Sequence, residues 1–402
     1  HSSYVRAHAR AAIRIGFEPH IFCASSRSGV VDTDFGVVHR IQSPYRYFLR
    51  SASAGGFRVS TVPLHEANLA SALHQFLRGR GGRQLIHGFG VWSSAARRAR
   101  WRLLSVGIES VIFASVYTLL EHEHRGKIRG YGPEHRLSQR LFGRAEQLWI
   151  NSIATPIENR AYRGADLVLF NYESVRVMLE ARFGPSLRTR RMPYTSETAL
   201  VTQERRDNRQ PAAIANLEPR DAPLVVAVSR HDPRKGISHL LRALARLKGE
   251  GVAFRACLVG MGRLLEAHRL LAARLNLGPE TVITGFVEDP GEYLQHADIF
   301  VLPSLEEGSG SVSAIEAMQA GLPIVTTSVD GMPEDIKDGR NGLLVRAGDS
   351  DALAHALARL IQDSTLRRRL AQGSREAFLE QFSAERFTAA IAELYAEFGF
   401  LP

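Results

Sequence analysis

Val301–Gly321 reads VLPSLEEGSGSVSAIEAMQAG, and the fold turns on how this stretch is read. The apolar run Ile299–Leu302 has the length and composition of a buried strand. A Gly/Ser loop flanked by acids follows, and then a helix with Glu316 in its first half. A glycine loop that opens onto a helix N-terminus is a seat for an anion, because free backbone N–H groups and the positive end of the helix dipole meet there. Carboxylates repel a phosphate but accept hydrogen bonds from sugar hydroxyls. The segment therefore suits a ligand that carries phosphate beside a polyol, which describes a nucleotide sugar. Taken alone, the same residues also make an ordinary strand–loop–helix with a solvated Glu316.

A second stretch adds weight. Val225–Gly236, VVAVSRHDPRKG, reads as a buried strand ending at Ser229, with Arg230 and Lys235 just beyond it. Two cations at the C-terminal end of a strand suit a pyrophosphate, since ligands of open parallel sheets bind at that edge. Arginine offers a planar fork and lysine a point charge.

Around these two stretches, strands and helices alternate. Strands are expected at Glu18–Cys23, Val37–Ile41, Gln84–His87, Ser110–Tyr117 and Leu167–Asn171. Helices are expected at His1–Ile15, Asn68–Arg78, Ser94–Val106, Glu173–Phe183 and Ser383–Phe398, and at His135–Leu148 with an extension through Arg160. Alternation of this kind implies an α/β fold with parallel sheets covered on both faces. A chain of 402 residues with 45% hydrophobic content exceeds what one core holds. Thr202–Pro223, polar and without periodicity, is the expected linker. The chain opens on a helix where a doubly wound domain opens on a strand and a glycine loop, so the first domain is expected to lack its first strand.

The two cysteines, Cys23 and Cys257, sit far apart in apolar runs, the pattern of buried reduced thiols in a cytoplasmic protein. No metal-ligand spacing is visible. Leu103–Leu120 contains Glu109 and reads as a helix end followed by a strand rather than a membrane span. The formal net charge is +10, divided as +14 over residues 1–200 and −4 over the remainder. Such a basic half meets anions, peripheral lipid headgroups or an anionic acceptor among them, or is an arginine-rich solvated face. No interleaved aromatic-basic pattern points to nucleic acid.

The motifs SRHDPRKG (Ser229–Gly236), LVGMGR (Leu258–Arg263), ITGFVED (Ile283–Asp289), ADIFVLPS (Ala297–Ser304), Glu306–Val325, DGMPEDI (Asp330–Ile336) and DGRNGLLV (Asp338–Val345) run in a fixed order over about 120 residues. Together they resemble the C-terminal half of the GT-B retaining glycosyltransferases of family 4. The resemblance implies two Rossmann-like domains facing across a cleft. Residues 1–201 would form the acceptor side, 202–223 the linker and 224–382 the nucleotide-sugar domain, with 383–402 a helix returning to the first domain. It implies hexosyl transfer from a UDP- or GDP-sugar to a hydroxyl acceptor (a glycan, lipid-linked glycan or small molecule), with no cofactor and no metal.

By the same resemblance, Arg230 and Lys235 neutralise the leaving diphosphate and Gly308, Ser309, Gly310 and Ser311 present the donor loop. Glu316 accepts the ribose hydroxyls, and Glu307 meets the donor sugar. Backbone groups at Phe286 and Val287 read the base. One departure stands out: eight residues separate Glu307 from Glu316, where the family pattern has seven. On the acceptor side the family has Thr-x-His, whereas Thr118 is followed by Leu120 at that place. His122 then either takes over through a shifted loop or is merely solvated; His87 is either a cleft residue or an unliganded turn histidine. A nucleotide-sugar 2-epimerase of the same fold and a non-catalytic nucleotide-sugar binder are the alternative functions.

Overall fold

The computed structural model describes residues 2–42, 62–129, 144–196 and 210–400. The chain divides into two compact units: one built from residues 1–125, 135–200 and 384–402, the other from 126–134 and 201–383.

In the first unit, β1 (His20–Ser25) pairs in parallel with β3 (Gly36–Gln42), and β2 (Gly29–Thr33) lies antiparallel on the far side of β3. Four further strands, β4 (Gln84–Phe89), β5 (Ser110–Val116), β6 (Leu167–Phe170) and β7 (Thr189–Arg191), form a parallel sheet in that order. The five expected strands lie where the apolar runs placed them, within two residues at each end. β2 and β7 carry no such run: β2 is almost wholly exposed, and β7 is the tripeptide Thr-Arg-Arg. The helix expected from His135 is described from Arg144 onward, passing through a π-helical turn at Ile150–Ala154 into Thr155–Arg163. Its beginning lies outside the described residues.

Helix Ala384–Glu397 belongs to this first unit. Phe387, Ile391 and Leu394, spaced at helical intervals, pack with Ala7, Ala11, Phe113, Leu167 and Leu169 in one buried cluster. The Arg83 guanidinium donates to the Phe398 carbonyl at 2.6 Å. Asp166 is a strand-entry residue: its carboxylate accepts the Ile112 amide at 2.7 Å and pairs with Arg100.

The second unit holds one six-stranded parallel sheet from β8 (Leu224–Val228), β9 (Arg255–Val259), β10 (Thr281–Gly285), β11 (Ile299–Leu302), β12 (Ile324–Thr327) and β13 (Gly342–Val345). The spatial order is β10-β9-β8-β11-β12-β13. Strand order therefore reverses between β8 and β11, neighbours in register through Ile299–Val225 and Phe300–Val226. That reversal makes a crevice beyond the C-terminal strand ends, where open α/β sheets bind ligands. The central strands are apolar throughout because helices cover both faces. Helix Ile237–Gly249 buries Ile237, Leu240, Leu241, Leu244 and Leu247 on one stripe. Asp349 and Asp363 cap the helices Ser350–Gln362 and Ser364–Gln381 through side-chain bonds to first-turn amides, an arrangement worth about 1 kcal/mol each.

Of the expected linker, residues 210–223 are described, and they are packed rather than extended. Ile214 and Leu217 are buried, and the Glu218 amide donates to the Pro279 carbonyl at 3.0 Å. The two cysteines are free and lie in different units; burial pushes the Cys257 thiol up to about 12. Among the described residues no helix is long and apolar enough to cross a membrane, and Leu103–Leu120 is a helix end followed by β5.

Candidate functional site

The loops after β8 and β11 flank the reversal point, and tight backbone approaches bring them together. A Cβ on Gly236 would meet the Pro303 carbonyl oxygen at 1.9 Å, so only glycine lets the β8 loop close on the β11 loop. Gly236 also has φ +64 and starts helix Ile237–Gly249. The Arg234 carbonyl accepts the Leu305 amide at 2.7 Å, which locks the two loops in register.

This closure sets the charges. Lys235 is buried, and its Nζ donates to both carboxylate oxygens of Glu307 at 2.6 Å. Ser304 Oγ donates to the same carboxylate. Arg234, also buried, donates from Nη1 to the Glu307 carbonyl at 3.3 Å. Burial pulls the Lys235 ammonium down from its ordinary value; Glu307 opposes that pull and Arg234 reinforces it. Arg230 is half-exposed, with Nη2 3.4 Å from Asp232. Each of the two expected cations faces a carboxylate in this structure, Arg230 that of Asp232 and Lys235 that of Glu307, and for Lys235 the counter-charge is what allows a buried ammonium.

Beyond Glu307 the chain turns at Gly308, at φ +85, and passes Ser309 and Gly310 to helix Val312–Gln319. Ser311, the residue before that helix, is extended and gives no side-chain cap; its hydroxyl pairs with Ser313 Oγ at 3.0 Å. The first-turn amides thus have no cap from Ser311, as an anion seat requires. The Gly308 amide, expected to face a donor, instead donates to Asp330 Oδ2 at 2.6 Å, as does the Glu307 amide. Glu316 lies half-buried within the helix.

Phe286 follows β10, whose end is freed by Gly285 at φ +85, and the residue is 75% exposed. Val287 is half-buried. On the far side of the β8 loop, His231 is buried against His268 at 2.9 Å, and burial pushes it down to about 4.

The two acceptor-side histidines lie in the first unit and are described there. His87 is a strand residue rather than a turn residue, its Nε2 2.8 Å from Ser115 Oγ and its ring stacked on Phe89. Burial pushes it down to about 3, so it is neutral. His122 is half-buried on helix Leu120–Arg129. Its neighbour His124 is the more buried, with Nε2 3.0 Å from Glu146.

Three contributors went unread in the sequence: Arg234, Ser304 and Asp330. Arg234 stands next to Lys235, and the spacing of the motif favours Arg230 over it. Asp330–Gly331 is a turn dipeptide that begins three residues after the last residue of β12, a signal that places Asp330 at this sheet edge. Among the described residues no cluster of histidine, cysteine and carboxylate side chains could hold a metal ion.

Residues 208–377 match the family described as Glycosyl transferases group 1. The chain is 35% identical over 178 residues to the lipopolysaccharide core biosynthesis glycosyltransferase LpsE of Rhizobium meliloti, covering 44% of this chain and 51% of that one. It is 28% identical over 254 residues to a GDP-mannose-dependent alpha-(1-6)-phosphatidylinositol monomannoside mannosyltransferase of Mycolicibacterium smegmatis, covering 60% and 65%. The chain thus spans between half and two thirds of these relatives. Among solved structures, sucrose-phosphate synthase from Thermosynechococcus elongatus superposes with a TM-score of 0.73 at 23% identity, over 98% of this chain and 92% of that one. HepE of Anabaena, in complex with UDP and glucose, gives 0.67 at 18% identity over 98% and 95%. Those likenesses establish the two-domain GT-B fold, and residues 208–377 are similar to the group 1 glycosyl transferases.

Proposed function

We propose that the chain is a retaining glycosyltransferase that moves a hexosyl group from a UDP- or GDP-sugar to a hydroxyl acceptor. One observation carries this reading: a buried Lys235–Glu307 pair stands beside an uncapped helix start at the point where strand order reverses. A relative named as GDP-mannose-dependent and a fold neighbour that holds UDP and glucose support the donor class.

In this reading the bond between the anomeric carbon and the phosphate oxygen breaks, and the acceptor oxygen bonds the same face of the sugar. The acceptor proton passes to the leaving phosphate, so no separate carboxylate base is required. Arg230, Lys235 and the first-turn amides of Val312–Gln319 stabilise the growing charge, the contribution that usually dominates catalysis. That role falls to protein cations and needs no metal. Glu316 holds the ribose, Glu307 the donor sugar, and Phe286 and Val287 the base.

The first unit supplies the acceptor side, and its basic surface supports peripheral contact with an anionic membrane. Trp101, Leu104 and Val106 are exposed at the end of helix Ser93–Leu104, with Arg98 and Arg102 exposed beside them. Tryptophan and arginine together suit a lipid interface.

A thermal-shift screen with UDP- and GDP-sugars, followed by mass spectrometry of an acceptor pool, tests the proposal. Release of free UDP or GDP with a hexose-sized mass gain on an acceptor supports it. Conversion of the donor to its epimer, or binding without turnover on any acceptor, refutes it.

A further inference from the structure

Asp330 has no part in the transfer chemistry above, yet it holds the loop that carries it. It follows β12 and lies at φ +46; Asn276 is the other non-glycine residue with positive φ among the described residues. Asparagine and aspartate tolerate this region better than other side chains. From there its Oδ2 accepts the amides of both Glu307 and Gly308 at 2.6 Å. The next amide along, that of Gly331, donates to the Ser309 carbonyl at 3.2 Å. Two residues of β12 continue the stitching, with Thr326 Oγ1 donating to the Leu302 carbonyl and Thr327 Oγ1 to the Ser304 carbonyl. The segment 326–331 thus runs alongside 302–309 past the end of the parallel ladder.

This loop is also where the sequence holds one residue more than the family spacing between its two glutamates. A loop with an extra residue can shift its register, and a shift of one place would carry the Glu307 carboxylate off Lys235. The Asp330 contacts oppose that shift, because they fix the two amides on either side of the Glu307 carbonyl. They have a second effect. Amides held by a carboxylate are not offered to a phosphate, and a phosphate placed there would face the charge of Asp330.

We propose that Asp330 is the positioning residue of the donor loop: it absorbs the additional residue, fixes Glu307 on Lys235 and directs the donor phosphates to the helix start at Val312. The proposal rests on the transferase reading for its kinetic consequence but not for its structural one.

The test uses the full chain with D330G and D330N. Glycine adopts φ +46 without strain, so D330G removes the carboxylate and keeps the backbone. Asparagine keeps an oxygen that can accept both amides. Hydrogen exchange of a peptide spanning 305–311 should be faster by about tenfold in D330G and near wild type in D330N. Protection of helix Ser350–Gln362 should be unchanged in both, which confirms that the unit remains folded. In steady-state assays D330G should lower kcat by about tenfold with donor KM within about threefold, and D330N should restore kcat. Wild-type exchange in D330G overturns the proposal, as does a D330G enzyme that keeps kcat and changes only donor KM. Exchange needs no turnover: the expected exchange pattern in a chain inactive on every acceptor would sink the transferase reading and leave the role of Asp330 standing.

Discussion

Replacing Glu307 by glutamine keeps its shape and removes its charge, and should destabilise the second unit by about 3–5 kcal/mol at pH 7. The figure follows from Lys235, whose side chain is 10% exposed and whose Nζ bonds both oxygens of Glu307. Deprived of that partner, the ammonium must give up its proton to stay buried. Holding neutral at pH 7 a lysine whose unfolded pKa is about 10.4 costs roughly 4.6 kcal/mol, an upper bound. The sign of the pH dependence is then fixed. With its folded pKa depressed, the native variant binds fewer protons than the unfolded chain, so its stability rises with pH. The deficit against wild type should shrink by about 1.4 kcal/mol per pH unit, or about 2.7 kcal/mol between pH 7 and pH 9. Urea unfolding of wild type, E307Q and K235M/E307Q at both pH values measures this, with a thermal shift on the order of 10 °C as a second readout. The double variant should regain most of the loss, because no charge is left without a partner. A loss under about 1 kcal/mol at pH 7, or a deficit constant up to pH 9, would refute the account of the pair.

Four further outcomes are expected. Glu316→Ala should raise donor KM about tenfold with little change in kcat, whereas Glu307→Ala should mainly lower kcat; Michaelis–Menten kinetics on the donor decide, and equal, negligible effects dispose of both roles. In the first unit, Glu158 is buried between Arg182 and Tyr162, and burial pushes it up to about 7. Its contribution is complete below its unfolded pKa and fades as pH rises to 7. E158Q should therefore gain about 3 kcal/mol on wild type between pH 4.5 and pH 7.5, read from paired unfolding curves. His87 works in the opposite direction, its contribution present above pH 6.5 and lost as acid approaches its folded value near 3. Vesicles containing phosphatidylserine should retain the chain in flotation, and neutral vesicles should not; W101A/L104A should weaken retention severalfold, and equal binding to both vesicles counts against the lipid face.

The fold was legible wherever burial leaves an apolar run. β8, β9, β11 and β12 are covered on both faces, so their sequences announce them, and the glycines at strand ends mark where loops approach. β2 and β7 were not legible because exposed residues carry no such signal. The candidate site divides the same way. Lys235, Glu307 and Glu316 stand in motifs whose residue types suit anions and hydroxyls. Their pairing did not show: the closure of Gly236 on Pro303 that brings Lys235 onto Glu307 joins segments some seventy residues apart, and sequence spacing says nothing about it. Asp330 was hidden for the same reason, since its partners lie on the neighbouring strand's loop.

Helix Ala384–Glu397 gives the chain a particular order of maturation. On a ribosome, the residues of the second unit emerge whole before Phe387, Ile391 and Leu394 leave the tunnel. Those three side chains, worth roughly 1.5–3 kcal/mol each when buried, belong to the core begun by Ala7 and Ala11. The unit begun before the second one is thus completed after it, and until then a nascent chain carries an open apolar seam where this helix will pack.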